Sequence, residues 1–320
     1  MQTIRRGALI AGRVLDLPQV QIGTGFAIPP QRSPMPSIRP WDSVPQERLR
    51  RSEEQLTDRV NRILRSFRGR ELESLADLFA TEARVFTTFP ELDPFGPRPD
   101  ERYIGPVFED RFGERATWQD GDRPRIFAYL RGNVPGVGNI LRALKSAEAS
   151  TVCVFPDVRP PVLKELASER LLITPRPLRL DSILPQADLA LLYGGHGVVC
   201  AALVAGVPLL IAPHNVEQYL HAKGLESAGV AAMIDGNRNA ADAGACIERA
   251  LNEGGLKARA RAFAARHAGF DPARVVEKAA EIIGNVVGTR TTELRRERKA
   301  VRAPGADAAA TVGRGDRIAR

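Results

Sequence analysis

The chain has 320 residues, of which 43% are hydrophobic and 26% charged, with a formal net charge of +8. That length has room for two domains, and the composition is that of an ordinary globular protein rather than a disordered or fibrous one. No apolar run approaches the length of a bilayer-spanning helix, so no transmembrane segment is expected, and the basic excess is concentrated in Arg290 to Arg320, where nine Lys/Arg face four Asp/Glu, which argues against a nucleic-acid-binding body.

The apolar patch after Arg5 and Arg6 is too short for a signal-peptide core. Cys153, Cys200 and Cys246 are odd in number and far apart. They give no metal spacing and no disulfide framework, and Cys153 and Cys200, within apolar runs, are read as buried free thiols in a reducing cytoplasm.

Taken in order, Thr3 to Val14 reads as a helix, and Val20 and Ile22 alternate as in a strand. Phe26 to Trp41 holds five prolines and is a long loop. Ser52 to Phe67 is the clearest helix: Leu56, Val60, Ile63, Leu64 and Phe67 recur at helical spacing and are expected to face a core. A short helix over Leu72 to Phe79 and a strand over Ala83 to Phe89 follow. Tyr103 to Phe108 reads as a strand end turning into a linker. A domain boundary is placed there, giving 1–105 and 106–290, with a basic tail over 291–320 that is expected to be disordered beyond a helical start.

From residue 125 strands and helices alternate. Strands are read at 125–130, 150–155, 171–174, 189–192, 207–213 and 230–234. Helices fall at 140–147, 161–167, 180–184, 198–205, 221–229, 240–251, 256–268 and 272–287. This alternation predicts a parallel sheet covered on both faces, with ligands bound outside the carboxyl ends of the strands. The loops at 132–138, 175–177, 194–197 and 213–218 all lie at such ends and make one cleft.

The stretch Ala187 to Gln218 organises this half: an apolar strand, Gly194-Gly195-His196-Gly197, an apolar helix, Gly206, a second strand and a helix start. Backbone N–H groups at the helix start attract a phosphate. Many such turns bind nothing, however, and the spacing is neither that of a dinucleotide fingerprint nor that of a P-loop.

With the loops in place, a wider series of residues can be aligned: Pro177-Leu178, Ile183-Leu184-Pro185, Ala187-Asp188, Gly194 to Gly197, Ala202-Leu203, Gly206-Val207-Pro208, Pro213 and Glu217-Gln218. This series resembles the C-terminal half of nucleotide-sugar-dependent glycosyltransferases of the GT-B fold, the family of macrolide, sterol and UDP-glucuronosyltransferases. The resemblance implies an α/β architecture: a Rossmann-like parallel-sheet C-terminal domain plus a partial N-terminal, acceptor-side α/β domain. It implies transfer of a sugar from a UDP- or dTDP-linked donor to a hydroxyl acceptor with inversion. No metal or cofactor is implied beyond the nucleotide-sugar co-substrate, and the other partner is a small hydrophobic or hydroxyl-bearing acceptor.

By the same resemblance the nucleoside lies over Thr174, Pro177 and Leu178. The diphosphate meets Tyr193, Gly195, His196, Gly197 and Val198, resting on backbone N–H groups, and the sugar is held by Glu217 and Gln218. Asn215 to Gln218 is equally a helix cap with Gln at the third helical position, and the two roles are compatible. Tyr193 replaces the family's diphosphate-binding histidine, Val198 a hydroxyl residue and Ala201 a ribose-binding glutamate. His196 supplies a cation if it faces the phosphates and otherwise faces solvent.

The family's N-terminal domain is longer than the 105 residues found here, and its histidine base has no counterpart before residue 196. The first strands are therefore expected to be missing, no catalytic residue is assigned, and Asp16, Glu91 and Asp93 are the nearby carboxylates. An incomplete domain is expected to expose a sheet edge and to invite self-association. Two other readings stay open. One is an inactive sugar-nucleotide-binding or partner-regulating protein; the other is a polyanion contact made by the tail.

Overall fold

The computed structural model describes residues 2–39, 41–119, 121–157, 161, 165–234 and 240–302. Two parallel sheets follow one another along the chain. The first has three strands in the order β1-β2-β3: β1 (Val20–Gly23), β2 (Ala83–Phe86) and β3 (Arg102–Tyr103). α1 (Gln2–Val14) and α2 (Gln46–Ser66) share a separate core through Leu9, Leu64, Leu78 and Phe79.

The second sheet has six parallel strands: β4 (Arg125–Tyr129), β5 (Ser150–Val154), β6 (Leu171–Thr174), β7 (Leu189–Leu192), β8 (Leu209–Ile211) and β9 (Ala231–Met233). Their order is β6-β5-β4-β7-β8-β9. Numbered from β4, that is 3-2-1-4-5-6, the doubly wound dinucleotide-binding order. The strands are short and almost wholly apolar, as strands covered on both faces must be: every residue of β5, β7 and β8 is buried. α3 (Val137–Ser146), α4 (His196–Val204), α5 (Val216–Ser227), α6 (Ala240–Asn252) and α7 (Gly254–Arg266) accompany the sheet.

The order changes direction between β4 and β7. Because all strands are parallel, the loops after β4, β6, β7 and β8 open on one edge, as the alternation predicted. α8 (Ala273–Arg302) then returns to the first sheet, where Val275 and Ile282 pack with Val85 and Ile104.

Several sequence expectations need correction. α2 begins at Gln46, directly after Pro45, six residues earlier than the apolar repeat indicated. Only part of the apolar stripe faces the core: Leu64 is fully buried and Val60 packs beside it, whereas Leu56, Ile63 and Phe67 are 38%, 45% and 65% exposed and Glu53, Thr57 and Asn61 are buried. The polar residues are buried because they bond to backbone. Glu53 accepts from the Met35 N–H at 2.8 Å, and Asn61 exchanges hydrogen bonds with the Leu72 backbone at 2.8 and 3.0 Å. The expected helix over 72–79 is a 3₁₀ turn, Leu75–Phe79, with Asp77 accepting from the Ser74 N–H. α8 runs on to Arg302, past the expected end at 287 and into the expected tail; residues 303–320 lie outside the described residues. The helix expected over 161–167 has helical geometry at 161, 165 and 166, and its residues 162–164 also lie outside them. Among the described residues no helix is long and apolar enough to cross a membrane.

Candidate functional site

The site lies where β4 and β7 part. In open α/β sheets this change of direction leaves a crevice between two loops that diverge to opposite faces. Tyr129 and Leu192 are the last pair between the two strands, and the segments after them are joined by the Tyr193 hydroxyl, which reaches the Arg131 carbonyl. Gly194 has φ +93°, and a Cβ there would press on Ile211 at 3.2 Å and Gln218 at 3.5 Å. The backbone angle therefore favours glycine, and Ile211 of β8 leaves little room for a side chain.

Gly195 is the exposed N-cap of α4, and its carbonyl accepts from the Val199 N–H at 3.1 Å. The N–H groups of His196, Gly197 and Val198 have no acceptor within the helix and form its positive end. A Cβ on Gly197 would sit 3.5 Å from Phe108, which places the link between the two sheets against this turn. Val198 is half-buried and packs on the core beneath the sheet.

His196 is half-buried with its ring turned onto protein groups, and it does not supply a cation. Its Nε2 lies 2.8 Å from the Thr88 Oγ1, its ring stacks on His221 with centroids 5.4 Å apart, and the Cys200 thiol is 3.6 Å away. Burial, with a smaller contribution from His221, pushes its pKa down to about 3. Burial likewise lowers His221 to about 4, opposed by a hydrogen bond to the Gly194 backbone. The His221 Nε2 is buried without a hydrogen-bond partner.

Tyr193 is also turned away from the crevice. It is buried, its hydroxyl donates to the Arg131 carbonyl at 3.4 Å, and its ring meets His214 edge-on at 5.2 Å. Burial raises its pKa, so the phenol stays protonated and brings no charge.

Among the residues expected at the nucleoside, Leu178 is buried in the core shared with Phe127 and Leu192, so its side chain packs the fold instead of meeting a ligand. Thr174 and Pro177 remain on the loop after β6. The Thr174 hydroxyl accepts from the Arg176 N–H at 3.1 Å, and the Pro177 carbonyl accepts from the Glu114 N–H at 2.9 Å. Gly113 lies so close to Pro177 that a Cβ would strike its carbonyl, which presses the segment around Glu114 onto this loop.

The expected cap on α5 is present. The Asn215 Oδ1 accepts from the Gln218 N–H at 2.9 Å. The reciprocal bond runs one residue further back than in a standard box, from the His214 N–H to the Gln218 Oε1 at 3.1 Å. Glu217 is exposed on the same turn.

The carboxylates named as candidates are engaged. Asp93 is fully buried, ion-paired to Arg98 at 3.1 Å, and accepts from the Tyr103 hydroxyl at 2.7 Å. Glu91 meets His267 at 3.1 Å and Arg266 at 3.7 Å. Asp16 also has an interaction partner.

Three residues near the site escaped sequence reading. Thr88 meets His196 from 108 positions away. His221 carried no motif. Trp41, at the end of the proline-rich loop, packs edge-on against Tyr219 at 4.6 Å, beside Gln218. A lone tryptophan in a proline-rich loop was the one local signal available for any of them.

No family model matches the chain. It is 29% identical over 202 residues to a PGL/p-HBAD biosynthesis glycosyltransferase of Mycobacterium tuberculosis (strain ATCC 25177 / H37Ra), a match covering 58% of this chain and 45% of that protein. It is 26% identical over 156 residues to a PGL/p-HBAD biosynthesis rhamnosyltransferase of Mycobacterium bovis (strain BCG / Pasteur 1173P2), covering 47% of this chain and 34% of that one. The chain thus spans less than half the length of the curated relatives it matches.

Among solved structures, the calicheamicin glycosyltransferase CalG4 superposes with a TM-score of 0.64 at 20% identity, over 87% of this chain and 70% of that one. The spinosyn rhamnosyltransferase SpnG complexed with thymidine diphosphate gives 0.59 at 18% identity, over 85% and 70%. These structures share the chain's α/β fold with parallel sheets. The chain resembles nucleotide-sugar-dependent glycosyltransferases of the GT-B fold.

Proposed function

We propose that this chain carries the donor site of a glycosyltransferase that uses a UDP- or dTDP-linked sugar and delivers it to a hydroxyl acceptor with inversion. The observation that carries this reading is the coincidence of the crevice between β4 and β7 with the motif series Gly194 to Gly197 and Glu217-Gln218. The matched relatives and the fold of a thymidine-diphosphate complex support it.

In this reading the acceptor oxygen forms a bond to the anomeric carbon as the bond to the diphosphate oxygen breaks. The departing diphosphate carries the negative charge, and the free N–H groups at the start of α4 are set to receive it. Glu217 accepts and the Gln218 amide donates, which suits neighbouring sugar hydroxyls. The Thr174 to Pro177 loop borders the nucleoside. No metal or further cofactor is invoked. The three described cysteines are free and buried, which fits a reducing cytoplasm.

The acceptor's proton has no assigned base. Asp93 and Glu91 are held in other pairs, and all four histidines lie at residue 196 or beyond. The engaged carboxylates favour a second reading, a sugar-nucleotide binder without transfer. Calorimetry with UDP and dTDP, followed by a donor-hydrolysis assay on the purified 320-residue chain, separates the two. Binding with turnover supports the transferase and binding alone supports the second reading. The absence of binding overturns both.

A further inference from the structure

A diphosphate leaving group calls for a positive charge as well as N–H donors. The residues to which the motif series assigns that task do not provide one. Tyr193 is a buried neutral phenol, and His196 is a half-buried imidazole held by Thr88 and stacked on His221. Val198 brings no polar group. The crevice has a different cation at its rim. Arg131 lies on the loop after β4, across from the turn that follows β7. Its backbone carbonyl already meets the Tyr193 hydroxyl.

We infer that Arg131 is the cation that binds the donor's diphosphate, taking from the opposite lip of the crevice the charge that Tyr193 and His196 do not supply. This rests on the donor-site reading above and adds to it a residue outside the motif series.

The guanidinium rests on the β5 side of β4 and would turn towards α4 to meet the phosphates. Its Nη1 lies 3.6 Å from Asp157, on the loop after β5, and its Nη2 lies 3.3 Å from the Tyr129 hydroxyl. Both arginine and aspartate are about half exposed, at 49% and 47%. Such a pair is long, solvated and weak, so the guanidinium leaves Asp157 for a phosphate at little cost. A planar guanidinium also matches two phosphate oxygens at once, which a lysine does not. Arg131 and the start of α4 would then grip the diphosphate from the two sides of the point where the sheet order reverses.

The test compares the diphosphate contribution to binding in full-length variants. Affinities for UDP and for uridine, and for dTDP and thymidine, are measured by calorimetry for the wild type, R131Q, R131K and D157N. Arg131 predicts that R131Q loses about tenfold or more in affinity for the diphosphates while nucleoside affinity holds. R131K recovers part of the loss, and D157N binds as well as or better than the wild type. Unchanged melting temperatures show that R131Q is folded. If the wild type prefers UDP or dTDP over the nucleosides and R131Q does so equally, the assignment of Arg131 is overturned while the donor site stands. If the wild type binds neither diphosphate, the donor-site reading fails and this inference fails with it.

Discussion

The Nε2 of His196 and the Oγ1 of Thr88 lie 2.8 Å apart, and this contact ties the start of α4 to the segment that follows β2. It joins the two sheets at the point where the donor's phosphates are proposed to sit. Thr88 is completely buried, and its hydroxyl also donates to the Phe89 carbonyl. Replacing it with valine keeps the shape and removes the partner of a buried imidazole nitrogen. T88V is expected to lose about 1–3 kcal/mol of stability, read from urea denaturation. A double-mutant cycle with H196F should show coupling between the two positions, and additive effects would contradict the contact.

The buried histidine pair makes stability depend on pH. Unfolded histidine titrates near 6.5, whereas burial holds His196 at about 3 and His221 at about 4. Below about pH 6.5 the unfolded chain takes up protons that the folded one refuses. The stability from these groups is therefore complete above that pH and is lost as pH falls towards their folded values. Each histidine contributes a slope of up to about 1.4 kcal/mol per pH unit. Comparing urea midpoints of the wild type and H221L between pH 5 and 7.5 isolates the term, and parallel profiles would contradict it.

The ion pair of Asp93 and Arg98 fastens the start of the proline-rich loop. Besides pairing with Asp93, Arg98 donates to the carbonyls of Ile28 and Gly25 at 2.8 and 3.3 Å. D93N leaves a buried guanidinium without its counter-charge and is expected to cost about 3–5 kcal/mol. Thermal and urea unfolding measure it, and a loss under about 1 kcal/mol would show the pair to be dispensable.

Glu217 and Gln218 serve the helix cap, the sugar, or both, and the two roles predict different losses. N215A removes the acceptor of the Gln218 N–H and should cost about 1 kcal/mol of stability. E217A should weaken binding of an intact nucleotide sugar while leaving its nucleoside diphosphate unaffected, because the diphosphate site does not include Glu217. Equal losses for both ligands would remove Glu217 from the sugar site.

The second sheet was legible because its strands are wholly apolar and its loops are marked by glycine and proline. Leu189 to Leu192 and Gly194 to Gly197 state strand and turn without help from distant residues. α2 was legible as a helix but not in its orientation. Hydrophobic spacing points to Leu56, Val60, Ile63, Leu64 and Phe67, of which Leu64 and Val60 pack on the core, while the chain also buries Glu53, Thr57 and Asn61 because each finds a backbone partner. Periodicity registers apolarity and is blind to hydrogen bonds. The positions of Gly195 and Gln218 could be read from local spacing. The state of His196 could not, because its burial depends on Thr88 and His221, which no local pattern connects to it.

Hydrogen exchange on the 320-residue chain, with and without saturating UDP or dTDP, tests the central claim most directly. The account predicts slowed exchange at the amides of Gly195 to Val198 and in the Arg131 to Gly136 loop, the two lips of the crevice between β4 and β7. Unchanged exchange at both lips, or protection confined to other elements, would contradict it.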